Sequence, residues 1–445
     1  MKRICDILTR NKTPIVVQDD ITYKQVTIRT NYKGVVLRGT QNGSTIGTKN
    51  QFVVSSGQFI LSRIDARNGA FGIIPDELEG AIVTNDFLAF DINEDEVERD
   101  FFNVFLQSPV FLEACIKASK GNTNRKRVDE AFFLNYEVNL PPLTAQHQLI
   151  KRINQARAHL QIVHHEIVRQ EALLENLKQA ILREATQGQL TTNWRASHPN
   201  VTPVRELLTL IQDKKSCLVE AKGSRSNRPL LPINPGKYPF EAPEGWEWCR
   251  LEELSMDVSY GTSHKAHLES KGIPVLRMGN VTSDGYLSYS DLKYVPESIK
   301  DLPRLLLRQG DIVFNRTNSY ELVGKSAVFR HHQSFTLASY LIRVRLFNDL
   351  LPEYVVYFIN GSVCRSKFIE PDVIQQNGQA NFNGTKLKSI PIPLPPLEEQ
   401  AVIVKKVEAL IKASQVLEAE VNCTRNQAKK LYQAILKDAF VPAFG

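Results

Sequence analysis

Leu140-Pro141-Pro142-Leu143-Thr144-Ala145-Gln146 recurs as Leu394-Pro395-Pro396-Leu397-Glu398-Glu399-Gln400, 254 residues further on, and this doubling decides the fold. The same offset carries Gln179-Ala180-Ile181-Leu182-Arg183-Glu184-Ala185 onto Gln433-Ala434-Ile435-Leu436-Lys437-Asp438-Ala439. No insertion separates the matches, so one rigid element occurs twice, and an internal repeat governs how the rest of a chain is read. Heptad counting identifies the element as a helix. In the first copy Ile153, Leu160, Ile167, Leu174 and Ile181 fall at position a, with Leu149, Ala156, Val163, Gln170 and Leu177 at d. In the second, Val407, Ser414, Val421, Ala428 and Ile435 fall at a, with Ile403, Leu410, Leu417, Thr424 and Leu431 at d. Apolar residues alternately three and four apart make one seam along a helix. Prolines just upstream suit helix entry, and at 1.5 Å per residue each helix is roughly 55–60 Å long. Either seam alone is equally an ordinary amphipathic helix; two in one register favour mutual pairing.

Upstream of each helix lie segments of similar length, 1–139 and 237–393, made of short β-branched and aromatic runs between Gly, Asn and Asp, the pattern of strands and turns. Gly57-Gln58-Phe59-Ile60-Leu61-Ser62-Arg63 parallels Gly310-Asp311-Ile312-Val313-Phe314-Asn315-Arg316: a turn, a strand, then a polar tip with arginine. A helical patch follows in each half, then a Gly/Asn-rich loop, Ser119–Arg127 in the first and Gln375–Gly384 in the second. The chain therefore divides into a first module (1–139), a long helix (140–190), a connector (191–236), a second module (237–393) and a second long helix (394–440). The connector holds a short helix, Val204 to Ala221, then a polar linker, Lys222 to Pro229. The fold class is α+β: two α/β modules joined by two long helices in an antiparallel coiled coil, with pseudo-twofold repetition and one module at each end.

Composition narrows the function classes. A 445-residue chain with 42% hydrophobic residues buries sizeable cores in two or three domains. Its formal charge of +7 suits a polyanionic partner without demanding one. Six scattered cysteines share no C-x-x-C spacing, which argues against structural zinc and disulfides and for free thiols in a reducing cytosol. No signal-like N-terminus or membrane-length apolar run is present, so a cytoplasmic protein with no membrane contact is expected.

The polar tips carry the chemistry of base recognition. Arg or Lys donates to guanine O6 and N7, and Asn or Gln pairs bidentately with adenine. Candidates in the first module are Arg63, Arg67, Asn68, Asn122, Asn124, Arg125 and Arg127; in the second they are Asn315, Arg316, Asn318, Gln376, Asn377, Gln379 and Asn381. Lys120 and Lys126 suit phosphates, which position a protein without specifying sequence. Enzyme signatures are missing: there is no G-x-x-x-x-G-K-[ST] or G-x-G-x-x-G loop. Asn139-Leu140-Pro141-Pro142-Leu143 lacks the Asn/Asp-Pro-Pro-aromatic order of an amino-methyltransferase. His164-His165-Glu166 has Arg169 where a zinc protease needs its second histidine, His331-His332 has no evident partner, and Asp311 and Glu321 lack an acidic-x-Lys companion. No catalytic or metal residue is assigned.

The doubled Leu-Pro-Pro-Leu-x-x-Gln entry and the Gln-Ala-Ile-Leu helix ends resemble the conserved regions of type I restriction-modification specificity subunits. Gly188-Gln189-Leu190-Thr191-Thr192-Asn193-Trp194-Arg195, Pro243-Glu244-Gly245-Trp246-Glu247-Trp248, Ile64-Asp65-Ala66-Arg67-Asn68-Gly69-Ala70 and the loop at Gly378 are similar to further segments of that family. The resemblance implies two target recognition domains, each reading half of a split site in double-stranded DNA, on a coiled coil that sets the spacer and docks two methyltransferase subunits. It implies no cofactor on this chain. S-adenosylmethionine belongs to the methyltransferase partners, and ATP and magnesium to restriction (translocase-nuclease) partners. The first module lacks the Pro-x-Gly-Trp entry of the second, which implies a different subclass or an abbreviated edge, and the divergence of the modules implies an asymmetric target. A coiled-coil scaffold with protein-binding modules and no DNA specificity stays open as the alternative, as does, more remotely, a nuclease or methyltransferase with unfamiliar motifs.

Overall fold

The computed structural model describes residues 1–121, 126–221, 238–282, 284–376 and 378–444. Two compact units emerge: 1–168 with 422–445, and 169–421. Each long helix, Leu143–Thr186 and Leu397–Phe444, contributes to both.

In the first unit the central sheet has the order Leu8–Asn11, Phe87–Ile92, Phe59–Ser62, Phe71–Ile73, antiparallel throughout. Helices Arg99–Phe105 and Pro109–Ala118 pack against it, the latter begun by Ser108, whose side chain accepts from the Phe111 N–H. Phe59, Phe102, Phe105 and Phe111 are fully buried and meet edge to face at 5.4–5.6 Å between centroids, geometry that matches positive ring edges to negative faces. A second sheet runs Thr13–Val16, Asn50–Val54, Ala81–Val83, Thr22–Ile28, Val35–Asn42.

The second unit repeats the central sheet strand for strand: Ser255–Tyr260, Leu341–Leu346, Ile312–Asn315, Ser326–Val328. Its other sheet is smaller, Lys293–Val295, Ile273–Leu276, Thr336–Leu337. Strand Glu247–Arg250 pairs with Pro391–Leu394, as Lys2–Arg3 pairs with Glu137–Val138 in the first unit.

The glutamine of each repeated entry explains why the motif is doubled. Gln146 is buried; its Oε1 accepts from the Glu98 N–H (2.8 Å) and its Nε2 donates to the Pro141 carbonyl (2.8 Å). Gln400, equally buried, accepts from the Leu351 N–H (3.1 Å) and donates to the Pro395 carbonyl (2.9 Å). Each helix start is thereby tied to its own module, with Ile150 and Ile153 entering the first core and Ile403 and Val407 the second.

The second unit adds a latch. Glu399, with no exposed surface, accepts from Trp246 Nε1 (2.8 Å), Thr191 Oγ1 (2.6 Å) and Arg195 Nη1 (2.5 Å). Gly188 sits beneath it at φ 74°, where a Cβ would stand 2.6 Å from Pro243 and 2.8 Å from Arg195. The segments Gly188–Arg195 and Pro243–Trp246 thus converge on one buried carboxylate.

Within the second unit the helices run antiparallel: Lys406 Nζ donates to the Leu190 carbonyl (2.7 Å), and Lys178 pairs with Glu418 (3.0 Å). In the first unit Arg157 Nε donates to the Tyr432 hydroxyl (3.2 Å). The seam of the second helix differs from the a/d expectation. Position a is shielded throughout, but Leu410, Leu417, Thr424 and Leu431 at d face solvent, and Val404, Ile411, Glu418, Arg425 and Tyr432 take their place. Leu177 on the first helix is likewise exposed. A 3.6-residue helix drifts against a seven-residue repeat, and the polar partners Lys178, Glu418 and Tyr432 draw the seam toward position e. The connector helix spans Val204–Ala221; the linker Lys222–Pro229 lies outside the described residues.

Candidate nucleic-acid interface

In the first module the strand Phe59–Ser62 ends in a turn over residues 63–69, closed by Gly69 at φ 76°. One end of the turn anchors a hairpin: the Val128 N–H donates to the Arg63 carbonyl (2.8 Å), and Ser119–Lys120 pairs with Arg127–Val128. The other end anchors a second hairpin, because the N–H groups of Asn31 and Tyr32 donate to the carbonyls of Asn68 (2.8 Å) and Gly69 (3.1 Å). A single turn therefore bridges two hairpins.

Candidate side chains divide by what they touch. Arg67 and Asn68 line an open concavity with Thr30, Asn31, Tyr32 and Leu112, and Asn68 is exposed with its amide donating to Asp65 (3.3 Å). Lys126 is exposed. Lys120 is exposed but pairs with Asp129 (2.8 Å), whose carboxyl is held low by that hydrogen bond and by the Phe132 N–H. Arg127 pairs with Asp86 (3.0 Å). Asn122, Asn124 and Arg125 lie outside the described residues.

Arg63 requires correction as a base-reading candidate. Its guanidinium is largely shielded and bound to Glu130 (2.9 Å), which Arg10 also contacts (3.3 Å). Burial lowers the Arg10 pKa, and the charge of Glu130 opposes that shift. Arg63 is thus committed to an internal Arg–Glu–Arg cluster at the base of the hairpin, a role sequence could not show because Glu130 lies 67 positions away.

In the second module the corresponding tip is rebuilt as a small sheet. Thr317–Asn318 pairs with Gln379–Asn381, which pairs with Ile374–Gln376; Thr317 faces Asn381 and Gln376 faces Gln379. Thr317 Oγ1 donates to Asn381 Oδ1 (2.8 Å), while Gln379 is exposed. Asn318 Oδ1 accepts from the Ser319 N–H (2.8 Å). The Arg316 guanidinium lies 5.0 Å over the Tyr260 ring, and Tyr260 in turn accepts from the Gly384 N–H (3.0 Å). Two segments that sequence reading named separately therefore meet in one sheet, with Tyr260 as an unforeseen support. Asn377 lies outside the described residues.

Asn315 is the second correction. It closes a strand buried on both faces and is itself fully buried, its amide donating to the Met278 carbonyl (3.4 Å). It is a core residue, not a surface for base edges. Asp311 is likewise buried, bound by Arg345 through two hydrogen bonds of 2.6 and 2.7 Å. Among the described residues no group of three or more His, Cys, Asp or Glu is placed to hold a metal, and no helix is long and apolar enough to cross a membrane.

Two copies of one α/β module, each closed by a glutamine-locked long helix, define a duplicated-module protein. The family model for the type I restriction modification DNA specificity domain matches residues 1–169 and 243–422, and the chain belongs to that family. It is similar to the EcoKI specificity subunit of Escherichia coli (26% identity, 76% of this chain, 64% of the relative). It is also similar to the EcoEI specificity subunit of Escherichia coli (25%, 78% of this chain, 65% of the relative). The chain thus spans just under two thirds of the length of these relatives. In fold it matches a chain from a study of complex assembly and conformational transition in the type I restriction-modification system, with TM-score 0.56, 19% identity, and 99% and 96% of the two chains covered. The HsdS subunit from Thermoanaerobacter tengcongensis gives TM-score 0.50 at 18% identity, with 99% and 95% covered.

Proposed function

We propose that this chain is the non-catalytic sequence-reading subunit of a type I restriction-modification complex, each module reading one half of a split site in double-stranded DNA. The observation that carries the reading is the duplication itself. The same sheet, in the same strand order, ends twice in a polar tip joined to an Asn-, Gln- and Arg-bearing hairpin. The exposed candidates include Asn68 and Lys126 in the first module and Gln379 in the second, with Arg67, Arg316, Asn318 and Asn381 partly exposed. Methyl transfer falls to two methyltransferase subunits carrying S-adenosylmethionine, and cleavage to restriction subunits using ATP and magnesium. The exposed Leu173, Leu177, Leu410 and Leu417 in the second unit supply apolar surface for docking the methyltransferase partners. The long helices set the spacer between the half-sites.

Methylation mapping of genomic DNA from cells expressing the chain with its neighbouring methyltransferase subunit tests this reading. Two short specified halves around a fixed gap, appearing only with this chain, are expected. An active methyltransferase partner that yields no such motif would turn the assignment toward a scaffold whose modules bind proteins.

A further inference from the structure

The turn at 63–69 serves two hairpins, and only the one at 119–128 carries residues that sequence assigned to DNA. The other joins Thr22–Ile28 to Val35–Asn42, and its tip is Arg29-Thr30-Asn31-Tyr32-Lys33-Gly34, closed by the Arg29 N–H donating to the Gly34 carbonyl (2.9 Å). Asn31 and Tyr32 are consecutive and both left-handed, at φ 59° and 58°. Glycine fills such positions without steric cost, asparagine tolerates them, and tyrosine is rare there. Among the described residues the only other non-glycine at positive φ is Asp291.

Strain of this kind persists where surroundings hold it, and here the surroundings are the reading turn. The N–H groups of both residues are spent on the Asn68 and Gly69 carbonyls. Gly69 permits the approach, since a Cβ there would stand 3.1 Å from the Tyr32 nitrogen. The Tyr32 ring rests edge-on against Phe71 at 5.6 Å, yet 41% of the residue stays exposed beside Arg67 and Asn68.

Charge points the same way. Residues 22–42 contain Lys24, Arg29, Lys33 and Arg38 and no carboxylate. Arg29, Lys33 and Arg38 are exposed, and among the described residues none of the three has a side-chain hydrogen bond or an ion pair. Lys120, Arg127 and Arg63, by contrast, are each committed to Asp129, Asp86 or Glu130. Three uncommitted cations thus lie in the strained tip or just beyond it, Arg29 and Lys33 on either side of Asn31–Tyr32 and Arg38 in the following strand, which suits a base-contacting point between phosphate contacts.

Resting on the assignment of DNA reading above, we infer that the tip Arg29–Gly34 is a second DNA-contacting element of the first module. Asn31 and Tyr32 contact base edges beside Arg67 and Asn68. Arg29, Lys33 and Arg38 bind the adjoining phosphates. The tip thereby specifies part of the first half-site.

The test uses the full chain assembled with its methyltransferase partner, read by methylation mapping and by DNA affinity across a salt series. Asn31→Gly removes the side chain while relieving the left-handed backbone, so melting temperature holds or rises while discrimination at one first-half position falls about tenfold. Tyr32→Phe deletes the hydroxyl alone and relaxes a neighbouring position. Arg29→Ala and Lys33→Ala weaken binding to all sequences alike, each lowering the salt slope by about one. The inference is overturned if Asn31→Gly and Tyr32→Phe keep full sequence preference and affinity while Arg67→Ala relaxes the first half-site. If Arg67→Ala and Gln379→Ala also leave both halves intact, the DNA-reading assignment itself fails and the inference falls with it.

Discussion

The two long helices begin with the same Leu-Pro-Pro-Leu-x-x-Gln motif but are held differently. Gln146 and Gln400 make matching bonds to their modules, whereas Glu399 binds Thr191, Arg195 and Trp246 and its counterpart in the first copy is Ala145. The glutamine is the shared joint of the repeat. The carboxylate latch belongs to the second copy, where it fastens the connector segment Gly188–Arg195 to the helix start.

The comparison breaks most visibly at Glu399. Glu399→Ala takes the carboxylate from Arg195, which keeps the Gly188 carbonyl and the Thr191 hydroxyl, and removes the acceptor of the buried Trp246 indole; breaking a buried charge pair costs about 3–5 kcal/mol. All three tryptophans, Trp194, Trp246 and Trp248, lie in the second unit, so denaturant unfolding followed by tryptophan fluorescence reports that unit alone. A large drop in its midpoint is expected; an unchanged midpoint would remove the latch from the account. Next in size, Gln146→Leu and Gln400→Leu each strand a buried N–H and carbonyl, at about 1–3 kcal/mol per group. Similar losses of the hydrogen-exchange protection of Glu98 and Leu351 are expected, and markedly unequal ones would mean that the joints are not equivalent.

How much of this was legible depends on whether the cause is local. The helix entries could be read because the motif is short, contiguous and written twice. The seam of the second helix could not, because Leu410, Leu417 and Leu431 satisfy a heptad count yet the polar contacts made by Lys178 and Arg157 rotate the buried face away from them. Asn315 looked like a tip residue because it precedes Arg316; its burial comes from strands on both sides. Arg63 and Glu130 are brought together by tertiary packing alone. The tip at Asn31–Tyr32 left no signal, since left-handed tyrosine has no sequence signature.

A smaller effect is expected from acid. Burial pushes the Asp257 carboxyl upward, but the hydrogen bond and charge of Arg343 (2.6 Å), with the charge of Arg345, outweigh it and hold the group below its usual range. A depressed carboxyl contributes stability that is present above the unfolded value near pH ~3.9 and is lost as pH falls through the folded one. Asp257 is half-exposed, so the contribution is below about 1 kcal/mol. Tryptophan-monitored stability of the second unit should fall more steeply below about pH 4 in the parent chain than in Asp257→Asn; identical profiles would assign the acid sensitivity elsewhere.

Sequence reading by separate modules is the central claim, and the most direct test is methylation mapping of Arg67→Ala and Gln379→Ala, each in the full complex. The account predicts that the first relaxes specified bases in one half of the split site and the second relaxes bases only in the other, with the gap unchanged. Loss of preference at the same positions in both variants would contradict it.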